Sequence, residues 1–154
     1  DGDNLEDNAR LKAVAVCEFA GRPAVADDTG LEIDVLNGAP GVYSARFAGN
    51  DATYQQNVEK VLAELEGVQM GQRTARFKTV AIVRYPDGKE LIANGIVEGH
   101  ISQSPSGEGG FGYDPIFVPV EGDGATFAQM GHEKHKFSHR GRAFRSLGHM
   151  LSST

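Results

Sequence analysis

The sequence predicts an α/β protein, because segments with helical spacing of apolar residues alternate along the chain with short apolar segments typical of strands. The 154 residues are enough for about one domain with a buried core. No internal repeat, low-complexity tract or linker interrupts the sequence. We therefore expect residues 1–154 to form a single domain.

The first quarter of the chain predicts a helix and two short strands. Apolar residues recur at helical spacing from Asn4 to Phe19, and Gly21-Arg22-Pro23 follows as a stop signal. Buried strands are expected at Pro23–Ala26 and at Leu31–Val35. The polar residues between them, Asp27 to Gly30, are typical of a turn, although two adjacent carboxylates also suit a cation or a reaction.

The middle of the chain predicts a second helix and a hairpin. Thr53 and Gln56 have the spacing of a capping box, and the helical pattern that follows runs to about Glu66. Thr74–Tyr85 and Glu90–Glu98 are strand-like segments on either side of a Pro-Asp-Gly-Lys turn. We expect these two segments to pair.

The last third combines a loop, a strand and a helix. Pro105–Gly112 is a glycine-rich loop, and Ile116–Val120 is a short apolar strand. Ser138 can cap a final helix. The residues expected on the inner face of that helix are Phe144, Leu147 and Leu151.

Composition limits the function classes. The net charge of −6 and the pI of about 5.3 argue against a polynucleotide partner bound through a broad basic face, but not against a nucleotide. No segment has the length and hydropathy of a membrane span, so no membrane partner is expected. Cys17 is the only cysteine, which excludes an internal disulfide and favours a reducing compartment. We expect a cytoplasmic protein.

The adjacent carboxylates Asp27 and Asp28 are the first candidate site. In an extended segment their side chains point to opposite faces. This arrangement favours one carboxylate that acts as a base or metal ligand and one structural partner. It disfavours an aspartyl-phosphate mechanism, which places its two carboxylates two residues apart.

The glycine-rich loop is the second candidate. Gly107, Gly109 and Gly112 spell a dinucleotide fingerprint, but Tyr113-Asp114-Pro115 follows where a helix would be needed. An aromatic ring between glycines can stack on a flat base. The alternative is a tight turn with an aromatic side chain that fills the core.

The segment GHEKHKFSHRGRAF is the third candidate. His132, His135 and His139 have the spacing of a metal-binding helix face, although Ser138 would interrupt that helix. Lys134, His139 and Arg140 are hydrogen-bond donors near a helix start and suit keto oxygens or phosphates. A solvated basic patch is the third interpretation.

Three segments together resemble the inosine triphosphate pyrophosphatase family. They are ADDTGLEIDVLNGAPGVYSARFAG at Ala26–Gly49, GGFGYDPIF at Gly109–Phe117 and EKHKFSHRGRA at Glu133–Ala143. The opening LEDNARLKA at Leu5–Ala13 and TFAQM at Thr126–Met130 are also similar to the family. Order and spacing agree across nearly the whole chain.

The resemblance implies a mixed, elongated sheet flanked by helices, with a nucleotide cleft between two lobes. It implies a homodimer and Mg²⁺-dependent cleavage of the α–β phosphate bond of the triphosphates of inosine, deoxyinosine and xanthosine. The products would be the nucleoside monophosphate and pyrophosphate. Family members begin with a strand and a Ser/Thr-x-Asn-x-x-Lys phosphate loop, and we expect that segment to precede Asp1 and to be missing from these residues.

The resemblance also implies roles for individual residues. Asp28 would be the general base and a metal-associated carboxylate, and Thr29 would contact the substrate through its hydroxyl. Phe111 would stack on the base and Lys134 would contact the substrate. The remaining residues expected to meet the base are Gly112, Tyr113, Asp114, His139 and Arg140.

Two alternatives stay open from the sequence. A non-catalytic module could bind a purine nucleotide without turnover. A different metal-dependent phosphohydrolase could use Asp27 and Asp28 on another phosphate ester.

Overall fold

The computed structural model describes residues 4–131, 134 and 138–152 and confirms the α/β class. The helices are α1 (Leu5–Ala20), α2 (Tyr54–Glu64), α3 (Phe127–Met130) and α4 (His139–Ser152). The strands are β1 (Ala24–Ile33), β2 (Thr74–Arg84), β3 (Glu90–Ile101) and β4 (Phe117–Pro119). They form one sheet in the order β1-β2-β3-β4, and Gly99 to Ile101 of β3 pair antiparallel with β4.

The chain divides into two compact units that interleave along the sequence. Unit 1 takes its described residues from 1–29, 78–96 and 138–154, and unit 2 takes them from 30–77 and 97–137. Each of the three long strands contributes residues to both units. The single-domain organisation stays a prediction, as does the cleft between lobes.

The first helix of unit 1 follows the sequence pattern closely. The Asn4 side chain accepts a hydrogen bond from Asp7 N at 2.8 Å, and the helix ends at Gly21, whose φ of 65° is left-handed. The prediction of a helix at Asn4–Phe19 is confirmed. Its buried face includes Cys17, whereas Val16 is half exposed.

The predicted pair of short strands around Asp27 is wrong, since β1 is one continuous strand from Ala24 to Ile33. The polar residues lie inside this strand and form no turn. The Thr29 hydroxyl lies 2.7 Å from the hydroxyl of Thr79 on the neighbouring strand, and Leu31 and Ile33 further along β1 are buried. The place of β1 beside β2 in the sheet therefore outweighs the local turn preference of these residues.

The helix and core of unit 2 are largely as expected. The capping box of α2 is present, with Gln56 N bonded to Thr53 Oγ1 at 3.1 Å and Thr53 N bonded to Gln56 Oε1 at 2.8 Å. The β2–β3 hairpin is confirmed, and β4 is a shorter version of the predicted strand. The rings of Phe77, Phe117 and Phe127 pack together in the core.

Of the three residues predicted on the inner face of the last helix, Leu147 is buried, and the prediction is wrong for Phe144 and Leu151. Ser138 Oγ accepts from Gly141 N at 3.2 Å, and Leu147 is buried. Phe144 and Leu151 are 36% and 43% exposed. The buried residues of α4 are His139, Ala143 and Leu147.

The physical reason is the close approach of α4 to β3 in unit 1. A Cβ atom at Gly95 would lie 1.8 Å from the His139 carbonyl oxygen and 2.4 Å from Ala143 N. Only glycine admits the first turn of α4 at this distance. The helix therefore turns the face that contains His139 and Ala143 toward the strand.

Two further sequence predictions concern metals and membranes. His132 and His135 lie outside the described residues, and no group of three or more metal-ligating side chains occurs among the residues that the structure describes. Within the same residues, no helix is long and apolar enough to cross a membrane.

Candidate active site

In unit 1, β1 presents Asp27 and Asp28 to two different cations. Arg140 donates to both carboxylate oxygens of Asp27, and Lys12 Nζ lies 3.3 Å from Asp28 Oδ1. Lys12 also donates to the main-chain oxygen of Asp27 at 2.5 Å. Each carboxylate therefore has its own positive partner, which offsets the repulsion between neighbouring acids.

The second oxygen of Asp28 is the least satisfied atom of this cluster. Asp28 Oδ2 is buried and has no hydrogen-bond partner among the described residues. A buried carboxylate oxygen without a partner is costly unless a water, a metal or a substrate group meets it. Asp28 could therefore accept a further contact through Oδ2, whereas both oxygens of Asp27 accept hydrogen bonds from Arg140.

This donor set fits the Mg²⁺ that the resemblance implies. Mg²⁺ binds hard oxygen ligands and is commonly held by one or two carboxylates together with waters and substrate phosphates. The unpartnered oxygen of Asp28 could supply one such ligand. A phosphate substrate would have to supply others, because the described residues contain no larger acidic or histidine group.

The hydroxyl of Thr29 is shared with a buried neighbour. It lies 2.7 Å from the hydroxyl of Thr79, which is fully buried. Since a hydroxyl both donates and accepts, one hydrogen-bonding function of Thr29 remains available. Its predicted contact with substrate stays a prediction.

His139 and Arg140 begin α4 and differ in exposure. His139 is buried and its carbonyl packs on Gly95, whereas the Arg140 side chain is 59% exposed. Hydrogen bonds from the guanidinium to Asp27 raise the pKa of Arg140. Arg140 is thus a charged, partly solvated donor at the start of the helix.

In unit 2, the glycine-rich loop places Phe111 at the surface. The ring is 62% exposed and lies 6.4 Å from the Tyr54 ring, at an angle of 43°. Gly110 precedes it with a left-handed φ of 73°, and a Cβ there would lie 2.1 Å from Asp114 Oδ2. The backbone therefore folds tightly over Asp114 and leaves an aromatic face open for stacking.

Asp114 holds the loop and Lys134 together. Asp114 Oδ2 accepts from Phe111 N at 3.1 Å and from Lys134 Nζ at 2.5 Å. The Lys134 ammonium also lies 4.7 Å from the centre of the Phe111 ring and 5.3 Å from that of Phe127. These contacts fix a cation beside an exposed aromatic ring.

Gly112 and Tyr113 follow Phe111 in the loop and differ in their surroundings. Tyr113 is 5% exposed, and its hydroxyl donates to the Ser44 carbonyl at 2.5 Å. Burial raises the pKa of this hydroxyl. Gly112 has a left-handed φ of 60° with open space around it. Tyr113 therefore fills the core, as the second interpretation of the loop expects, whereas stacking of a base on the exposed ring of Phe111 stays a prediction.

The predicted site residues thus fall into two groups, one in each unit. Asp28, Thr29, His139 and Arg140 lie in unit 1. Phe111, Gly112, Tyr113, Asp114 and Lys134 lie in unit 2. Lys12 has no role predicted from the sequence, although it lies in the segment LEDNARLKA that is similar to the family and is exposed on α1.

Comparison with known proteins decides the family. The sequence profile of the Ham1 family matches residues 1–150. This chain belongs to the Ham1 family. The resemblance drawn from the sequence motifs is therefore confirmed.

Relatives of this Ham1 chain carry names that describe an activity. The dITP/XTP pyrophosphatase of Bacillus subtilis is 45% identical over 152 residues, which cover 99% of this chain and 77% of the relative. The dITP/XTP pyrophosphatase of Elusimicrobium minutum is 50% identical over 147 residues, which cover 95% and 74%. Both relatives are longer than these 154 residues.

Solved structures of Ham1 proteins share the fold. The HAM1 protein of Coxiella burnetii matches with a TM-score of 0.93 at 40% identity, covering 99% of this chain and 79% of that one. The Ham1 protein of Staphylococcus aureus matches with a TM-score of 0.92 at 39% identity, covering 99% and 78%.

Proposed function

We propose that this Ham1-family chain hydrolyses the triphosphates of inosine, deoxyinosine and xanthosine to the nucleoside monophosphate and pyrophosphate, and so cleanses the nucleotide pool. The observation that carries the proposal is Asp28, whose buried Oδ2 has no partner among the described residues while Lys12 holds its Oδ1. Relatives 45–50% identical to this chain are named dITP/XTP pyrophosphatase, which supports the same reaction.

In the proposed mechanism, Asp28 orients a water and accepts its proton. The water oxygen attacks the α-phosphorus in line, the bond from that phosphorus to the bridging oxygen breaks, and pyrophosphate leaves. Lys12 keeps the Asp28 carboxylate in place through Oδ1, so that Oδ2 remains available. Mg²⁺, when bound, would be held by Asp28 and the substrate's phosphate oxygens and would offset the phosphate charge.

Base selection follows from donors and stacking. Phe111 offers an exposed ring on which a purine can stack. Arg140 and His139 donate hydrogen bonds to the 6-keto oxygen of hypoxanthine or xanthine. Adenine carries a 6-amino donor there, and leaving opposed donors unpaired costs about 1–3 kcal/mol each. The proposed contacts therefore disfavour adenine.

The proposal includes the assembly and location that the family resemblance and composition favour. We propose a homodimer, since the resemblance implies one. We propose a cytoplasmic location, which agrees with a single cysteine that is buried at Cys17.

The test is the position of the bond that breaks. The full natural chain that contains these residues is incubated with inosine triphosphate and Mg²⁺ in ¹⁸O-labelled water, and the products are analysed by mass spectrometry. We expect inosine monophosphate that carries the label, together with unlabelled pyrophosphate. Release of inosine diphosphate and inorganic phosphate, or label in pyrophosphate, would contradict the proposal. Omission of Mg²⁺ in a parallel sample tests the metal requirement.

A further inference from the structure

The carboxylate of Asp27 accepts two hydrogen bonds from one edge of the Arg140 guanidinium. Arg140 Nε donates to Oδ2 at 3.1 Å and Nη2 donates to Oδ1 at 3.2 Å. Two parallel hydrogen bonds of this kind fix the plane of the guanidinium as well as its position. The two residues are 113 positions apart in the sequence, so the contact is made by the fold of unit 1.

A second contact, with the ring of Phe144, restricts the Arg140 side chain. Phe144 lies one turn further along α4, and the Arg140 Cζ atom is 5.4 Å from the centre of its ring. Together, the carboxylate and the ring restrict the rotation of the guanidinium. Nη1 takes no part in the two hydrogen bonds to Asp27, so Arg140 retains an oriented donor.

The pair contributes little to stability by itself. The Arg140 side chain is 59% exposed and that of Asp27 is 22% exposed. Ion pairs so open to solvent change the free energy of unfolding only slightly. Orientation of a donor is the larger effect that this geometry produces, because a long side chain held in one rotamer loses less entropy when it binds a ligand.

We propose that Asp27 is a positioning residue that determines specificity by holding Arg140 in the orientation that donates to the 6-keto oxygen of a purine nucleotide. The inference rests on the proposed function, which it deepens. Lys12 binds the main-chain oxygen of Asp27 and the carboxylate of Asp28, so one stretch of β1 orients both the base reader and the catalytic carboxylate. The adjacent acids therefore have separate roles.

The test compares four variants of the full natural chain with the wild type. Asp27→Asn removes the charge, Asp27→Glu retains a carboxylate, and Arg140→Ala is made alone and together with Asp27→Asn. Glu6→Gln is the matched control, because Glu6 forms an exposed ion pair with Arg10 at 3.0 Å in the same unit. We measure kcat and KM with inosine triphosphate and adenosine triphosphate, and the dissociation constants of the two monophosphates.

For Asp27→Asn we expect KM for inosine triphosphate to rise about tenfold, with kcat changed less than about threefold. Selectivity over adenosine triphosphate should fall by the same factor as KM rises. Asp27→Glu should recover most of the selectivity, and Glu6→Gln should match the wild type. Adding Asp27→Asn to Arg140→Ala should have no further effect, since Asp27 acts through Arg140.

Several outcomes would overturn the inference while the proposed function stands. They are unchanged selectivity in Asp27→Asn, a fall in kcat at constant KM, or additive effects of Asp27→Asn and Arg140→Ala. If the wild type has no turnover, the dissociation constants of inosine and adenosine monophosphates test the inference instead. Preference for inosine monophosphate that is lost in Asp27→Asn would support the inference and refute the proposed function, whereas absence of that preference would overturn both.

Discussion

Lys134 Nζ lies 2.5 Å from Asp114 Oδ2, and only 3% of the Asp114 side chain is exposed. The same carboxylate oxygen accepts from Phe111 N, so a single acid fixes a cation and an aromatic ring of the glycine-rich loop. Because this pair is buried, breaking it should cost far more than breaking a surface pair.

Asp114→Asn should therefore lower the free energy of unfolding by about 3 kcal/mol, since it leaves the Lys134 ammonium without its charge partner. Asp87→Asn is the control, because the Asp87 carboxylate lies 3.8 Å from Lys89 at an exposed turn. Urea denaturation measures the free energy of unfolding of both variants and of the wild type. Equal stability changes in the two variants would show that the buried pair has no special role.

Phe111→Ala should weaken the binding of inosine monophosphate about tenfold, because stacking on an aromatic ring contributes about 1–3 kcal/mol. The melting temperature should stay unchanged, since the ring is 62% exposed. Phe19→Ala is the matched control, as Phe19 is 95% exposed and lies in unit 1. Calorimetric titration measures the affinity, and undiminished binding by Phe111→Ala would refute the stacking role.

Asp28→Asn should reduce kcat by about 10²- to 10⁴-fold, because an amide cannot accept the proton of the attacking water. Folding should be preserved, since the substitution is isosteric. Asp51→Asn, at an exposed turn, should leave kcat unchanged. Pyrophosphate release at saturating inosine triphosphate measures the effect. Full turnover in Asp28→Asn would exclude Asp28 as the base.

Gly95→Ala should destabilise the protein by about 1–3 kcal/mol, because the added Cβ would overlap the main chain at the start of α4. Gly148→Ala in the same helix meets open space and should be neutral or stabilising by up to about 1 kcal/mol. Thermal unfolding compares the two. An unchanged melting temperature in Gly95→Ala would show that α4 can move away from β3.

The lowered pKa of Glu90 predicts how the free energy of unfolding depends on pH. Burial alone would raise the pKa of Glu90, but hydrogen bonds from Arg10 and Arg84 outweigh it and hold the pKa below its usual 4.5. A lowered pKa in the folded state stabilises the protein above the unfolded pKa, and this contribution is lost as the pH falls through the folded pKa.

Glu90→Gln should therefore lower the free energy of unfolding by about 1 kcal/mol at neutral pH. The difference from wild type should shrink as the pH falls below 4.5. Glu66→Gln, on an exposed turn, is the control and should show little difference at any pH. Urea denaturation between neutral and acidic pH measures this. A constant difference across that range would contradict the lowered pKa.

The elements whose ends are encoded locally were predictable from the sequence. Asn4 with Gly21, and Thr53 with Gln56, satisfy helix ends through side chains and backbone a few residues away. The motifs also led to the family, because their order along the chain is specific.

Features set by distant neighbours were not predictable. The residues from Asp27 to Gly30 have turn preferences, but pairing along β1 keeps them extended. The inner face of α4 depends on Gly95, which lies more than forty residues earlier. Lys12 was missed as a partner of Asp28 for the same reason, since only the fold of unit 1 brings α1 to that carboxylate.

The most direct test of the account is the rate of pyrophosphate release from inosine triphosphate, compared with adenosine and guanosine triphosphates, by the full natural chain with Mg²⁺. We predict kcat/KM for inosine triphosphate at least about 100-fold above that for adenosine triphosphate, since adenine leaves donors of the site unpaired. Equal hydrolysis of inosine and adenosine triphosphates would contradict selection at the 6-position of the base and would favour a phosphohydrolase of a different class.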